Sequence, residues 1–147
     1  MFHPRPTPGK RLKLLLVEDS RHMQEVLTDA VRSMSRLELA GVAETATDAR
    51  AAFELHRPDV VVLDLVLRAS SGLDVLHEIK QRAPACHVVV FTGYDAEPYR
   101  NRCLAAGADH FFSKNRQHRE LLRHLQDYDA GPTTDTGPAG ANDFSQL

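Results

Sequence analysis

Asp64 follows the apolar run VVVL, where an ionised carboxylate without partners costs several kcal/mol. Three other runs close on groups that could share its surroundings: LLLV is followed by Glu18 and Asp19, VVVF by Thr92, and HFFS by Lys114. If these ends meet, three carboxylates, a hydroxyl and an ammonium occupy one site. Two carboxylates about 4 Å apart repel by roughly 4 kcal/mol at an effective dielectric near 20. Three together must take up protons or recruit a cation. A partly open site rich in oxygen suits Mg²⁺, which keeps waters and accepts phosphate oxygens. Lysine adds a point charge and threonine a hydroxyl for a phosphoryl group. Such a set lets Asp64 act as nucleophile toward a phosphoryl donor and form an acyl phosphate, with Glu18 and Asp19 holding the metal.

The ends meet only if the runs are parallel strands. The runs are LKLLLV (12–17), LELAGVA (37–43), DVVVLDL (59–65), HVVVFT (87–92) and DHFFS (109–113). Between them lie stretches with helical spacing. Met23, Val26, Leu27, Ala30, Val31 and Met34 share a face after a cap at Ser20, and Leu73, Val75, Leu76 and Ile79 follow Gly72. Helices are also predicted over 46–55, 98–106 and 117–128, with Pro98 in a first turn. Five strands, each followed by a helix, predict an α/β fold with a doubly wound five-stranded parallel sheet. In such sheets ligands bind beyond the carboxyl ends of the strands, where the five side chains fall. Each alone has a plain explanation: a helix start for Glu18 and Asp19, a β-branched strand end for Thr92, solvation for Lys114. Their conjunction on four strand ends decides for a site.

The 147 residues allow one domain with a proper core. With 18 basic against 20 acidic residues the net charge is −2 and the basic residues are scattered, so neither a nucleic acid nor a membrane surface is expected as partner. Cys86 and Cys103 form no paired motif, which fits a reducing, cytoplasmic setting. The apolar runs are too short to span a bilayer, and MFHPRPTPGK lacks the core of a signal peptide. Residues 1–10 and 131–147 read as a disordered segment and a flexible, solvated tail ending in DFSQL; 11–130 is the folded domain.

The segments LLLVEDS, VVVLDLVLRASSGLDVL, VVVFTGY and AAGADHFFSK, in this order, resemble the signature segments of response-regulator receiver domains. The resemblance covers nearly the whole folded body. It implies the flavodoxin-like fold with strand order 2-1-3-4-5, and phosphotransfer from a sensor histidine kinase or a histidine phosphotransfer protein with Mg²⁺. By position, Asp64 matches the phosphoacceptor, Glu18 and Asp19 the acidic metal pair, Val66 a backbone-carbonyl ligand, Lys114 the phosphate-binding lysine, Thr92 the switch hydroxyl and Phe111 the switch aromatic. The chain would then be a signalling phosphoacceptor that catalyses its own phosphorylation and dephosphorylation, not an enzyme acting on other substrates. A phosphorylation-dependent dimer is one form its active state could take.

Departures from the family pattern lie in the loops. Arg68 and Asn115 stand where proline is common, which makes a cis bond after Lys114 improbable. Val66 and Tyr94, two residues past Asp64 and Thr92, match the positions that by the resemblance gate the hydrolytic water, and neither offers a group to orient it, so a long-lived phosphoryl group is expected. A phosphohydrolase is disfavoured because Val66 replaces a second aspartate, and a nucleotide-binding turn because VEDSRHM lacks glycine. After Tyr128 no sequence remains for a DNA-binding domain, and no histidine pair has metal-ligand helical spacing with a supporting carboxylate, so a dedicated zinc site is not expected. These readings predict a stand-alone receiver, either a diffusible switch or a relay intermediate. The rival is a pseudo-receiver that only binds proteins.

Overall fold

The structure, a computed structural model, describes residues 10–131. The expectations for 1–10 and 131–147 lie outside the described residues, save Lys10 and Gly131. Elements alternate: β1 (Leu12–Val17), α1 (Arg21–Arg32), β2 (Leu37–Ala43), α2 (Ala46–His56), β3 (Val60–Leu63), α3 (Gly72–Arg82), β4 (His87–Thr92), α4 (Glu97–Ala105), β5 (His110–Ser113) and α5 (His118–Ala130). The five strands are parallel in the order β2-β1-β3-β4-β5, as predicted.

The central strands are apolar on both faces because both are covered. Alternate residues divide between two cores. Leu15, Val17, Val61, Leu63, Val88 and Val90 pack with residues of α2, α3 and α4, such as Phe53, Leu76 and Cys103. Leu14, Leu16, Val60, Val62, Val89 and Phe91 pack with Leu27 and Val31 of α1 and Leu121 and Leu125 of α5. Side-chain caps fix three helix starts: Ser20 accepts from Met23 N, Thr45 from Asp48 N and Ser71 from Leu73 N. No helix of the described residues is long and apolar enough to cross a membrane.

The connection from β3 to α3 differs from the sequence reading. The strand closes at Leu63 rather than continuing to residue 65, although Asp64 N still donates to Val17 O at 3.0 Å. A two-residue antiparallel ladder follows, Val66–Leu67 against Ser70–Ser71, which period-two patterning is too short to reveal. Its turn places Ala69 at φ 56, the left-handed region that favours glycine. Gly72 then starts α3 against the Asp64 backbone, where a Cβ would overlap the Asp64 carbonyl oxygen. The close approach requires glycine.

Candidate functional site

At the carboxyl ends of β1 and β3 the chain leaves the sheet carrying Glu18, Asp19 and Asp64. Glu18 is 1% exposed and Asp64 6%, and each of the three offers an oxygen within 4.8 Å of the others. Lys114, just past β5, reaches across: its Nζ lies 2.8 Å from Glu18 Oε1 and 2.8 Å from Asp64 Oδ2. The remaining oxygens take backbone donors, Ser20 N on Glu18 Oε2 at 3.0 Å and Val66 N on Asp64 Oδ1 at 3.2 Å. The strand ends therefore meet, and bring together Glu18, Asp19, Asp64 and Lys114.

Charge in this site does not balance. Burial pushes the Glu18 carboxyl up, against the pull of Lys114 and of Ser20 N. Burial also works against the Lys114 ammonium, but hydrogen bonds from it to Asp64 and Glu18 outweigh that and hold its pKa above the ordinary lysine value. One ammonium against three carboxylates leaves negative charge over. Hard oxygen donors with surplus charge are the set that suits Mg²⁺, so Glu18, Asp19 and Asp64 fit that ion.

Thr92 is fully buried at the end of β4, and its Oγ1 accepts Tyr94 N at 3.2 Å, so the hydroxyl is engaged by its own turn and not by Lys114. Phe111 is buried in the α4-side core, with the Arg100 guanidinium 5.9 Å from its ring centroid. Val66 and Tyr94 are both exposed. No peptide bond of the described residues is cis.

The sequence reading missed the residues that fix the Lys114 loop. Asn115, which replaces the common proline, donates to Gly93 O at 3.2 Å and to Asp95 Oδ2 at 3.3 Å. The Ser113 hydroxyl donates to the same Asp95 oxygen at 2.6 Å and accepts Asn115 N at 3.1 Å. This network ties the loop after β4 to the loop after β5. Asp95, Ser113 and Asn115 position Lys114 in place of a rigid ring. A polar triplet around the lysine, S-K-N, was the available signal.

A second convergence lies at the opposite end of the sheet. His87 begins β4, His110 begins β5, and both lean toward His124 of α5, with His87 Nε2 and His124 Nε2 2.8 Å apart. Burial lowers the pKa of both, that of His124 to about 4, so both are neutral at pH 7. Helical spacing could not show this group, because its members come from three elements.

Similarity to known proteins follows the same outline. The model of the response regulator receiver domain matches residues 14–126. The transcriptional regulatory protein TcrX of Mycobacterium tuberculosis is 34% identical over 123 residues, 83% of this chain. The chain spans only 51% of the length of TcrX, about half. The chemotaxis protein CheY of Halobacterium salinarum is 27% identical over 78% of this chain and 94% of its own length. Among solved structures, the Mn²⁺-bound form of response regulator Rcp1 superposes with a TM-score of 0.70 at 26% identity, covering 87% of this chain and 99% of that one.

Proposed function

The chain belongs to the response regulator receiver family of two-component systems, and on that premise we propose that Asp64 accepts a phosphoryl group from a histidine kinase or a histidine phosphotransfer protein. The Lys114 bridge between Asp64 and Glu18 carries this reading, since it places a cation where phosphoryl oxygens must sit beside an otherwise buried carboxylate. An Asp64 carboxylate oxygen attacks phosphorus, the phosphorus–nitrogen bond of the phosphohistidine breaks, and the imidazole keeps the electron pair and takes a proton. Glu18, Asp19, Asp64 and the Val66 carbonyl would hold Mg²⁺, which neutralises charge on the transferring group. The Mn²⁺-bound relative supports that assignment. Lys114 turns from the carboxylates to the phosphoryl oxygens.

The output follows from the same elements. The Thr92 hydroxyl, whose oxygen here accepts Tyr94 N, donates its proton to a phosphoryl oxygen and draws the loop after β4 inward. Phe111 already lies inward, so the switch acts by favouring this orientation over an outward one that the unphosphorylated chain also visits. α4 suits a moving part, because it has no side-chain cap and buries only Cys103. Val66 and Tyr94 leave no acid or amide beside the phosphoryl group, so its lifetime is long; Tyr94→Glu is expected to shorten it.

Incubation with Mg²⁺ and acetyl phosphate, followed by intact mass spectrometry, tests the core of the proposal. Wild type gains one phosphoryl group, dependent on Mg²⁺, and Asp64→Asn gains none. Failure of folded wild type to gain it would make the chain a pseudo-receiver that works by binding alone.

A further inference from the structure

The histidines at the far end of the sheet meet by construction of the fold. Along β4, His87 shares the α5-facing side with Val89, and along β5, His110 shares it with Phe112. The register pairs Val89 with His110, so His87 and His110 are diagonal neighbours, with ring centroids 5.8 Å apart. His124 lies on α5 one turn from the buried Leu121, beside Leu125, and this packing sets its ring 4.1 Å from that of His110 and 5.1 Å from that of His87. One nitrogen of each ring lies within 4.8 Å of the other two.

We propose that His87, His110 and His124 form a binding site for a borderline divalent transition metal, Zn²⁺ being the probe, separate from the acidic site at the opposite end of the sheet. Three imidazole nitrogens with one open position are a recurrent zinc donor set, and oxygen-preferring Mg²⁺ does not compete for it. The surroundings resemble those of ligating histidines. His87 Nε2 faces His124 while its Nδ1 lies 3.8 Å from Asp109 Oδ2, beyond hydrogen-bond length, so a small turn of the ring on metal binding would bring this carboxylate into position to accept from it. Lys80 already neutralises Asp109 at 2.8 Å, so the metal charge would be carried by neutral ligands, as in other three-histidine sites. Tyr128 stacks on His87 at 4.9 Å and Phe112 on His110 at 5.8 Å, which holds the rings in place. His110 is exposed and leaves the site open to solvent for the fourth ligand. Occupancy would clamp α5 to the starts of β4 and β5.

Zn²⁺ titration of the full chain by calorimetry, with excess Mg²⁺ filling the acidic site, tests the inference. The expected result is one Zn²⁺ per chain, an affinity lowered more than about tenfold in His110→Ala, lowered about tenfold in Asp109→Asn, and unchanged in Asp19→Asn. His110 is exposed, so its alanine variant should fold; His124→Gln, with circular dichroism to verify α5, provides a second removal. Co²⁺ at the site would give the intense visible bands of a four-coordinate ion held by three nitrogens and a solvent ligand, absent in His110→Ala. Absence of stoichiometric binding by wild type, equal binding by His110→Ala, or binding lost only in Asp19→Asn would overturn the proposal.

Discussion

Carboxylates gather at both ends of the sheet, and the two sets are used in opposite ways. At the amino ends, three acids, Asp59, Asp109 and Asp129, are taken up by amides at or beside the start of a neighbouring strand. Asp59 Oδ2 accepts Lys13 N at 2.8 Å, and Asp109 Oδ2 accepts Val88 N at 2.8 Å. Asp129, near the end of α5, accepts Arg36 N at 2.6 Å, Leu37 N at 2.7 Å, and both the amide and hydroxyl of Ser35 at 3.1 Å. At the carboxyl ends, Glu18 and Asp64 share one ammonium, and Asp19 has no side-chain hydrogen bond among the described residues. Acids of the first kind stitch the fold together. Those of the second leave charge over for a ligand, and a site that binds and reacts must leave some interactions unmade.

The difference is open to breaking by mutation. Asp129→Ala strands three amides and a hydroxyl at once, and urea unfolding is expected to show a loss of about 3 kcal/mol. Asp64→Asn, by contrast, relieves repulsion between buried carboxylates while Lys114 keeps Glu18 and the amide oxygen keeps an acceptor, so the same measurement should change by less than about 1 kcal/mol. Equal losses would erase the distinction. Lys114→Met sharpens it from the other side. Without Mg²⁺ the stability should fall by about 2 kcal/mol as two buried carboxylates lose their cation, and millimolar Mg²⁺ should restore most of that. A loss indifferent to Mg²⁺ would mean that the site does not hold the ion. Asp109→Asn, which keeps one acceptor for Val88 N, is expected to cost about 1 kcal/mol.

Strand direction is what made one end readable from the sequence and the other not. Asp59 precedes VVVL and Asp64 follows it; composition does not separate them, but the parallel topology sends every residue after a run to one rim. Glu18, Asp19, Asp64, Thr92 and Lys114 could thus be placed on that rim from strand patterning alone. The amino ends follow no such rule. His87 and His110 meet through a cross-strand diagonal, and His124 joins them through the packing of α5, relations between elements that no local period encodes. Asp129 was equally hidden, because its partners Ser35 to Leu37 lie more than 90 residues away in the chain. The Asn115 and Asp95 network escaped because the proline-lacking loop was read only as a departure, whereas its amide side chain builds the replacement tie.

The smallest expected effect is the most specific to the amino-end acids, and it concerns pH. Burial alone would raise the Asp129 pKa, but the amides of Leu37, Arg36 and Ser35 and the Ser35 hydroxyl outweigh it, and the folded value lies below 3.8. The unfolded chain therefore binds the proton more readily than the folded one. The stabilisation is fully present above pH 3.8 and is lost as pH falls through the folded-state value. Asp109, lowered by Lys80 and Val88 N against the effect of burial, has the same sign. Urea midpoints of wild type should decline as pH falls from about 5 to about 3, and those of Asp129→Asn should decline less, since its amide has no charge to lose. Parallel curves would show that the amides of Ser35 to Leu37 do not favour the charged carboxylate, and the amino-end acids would then differ from Glu18 and Asp64 in position only.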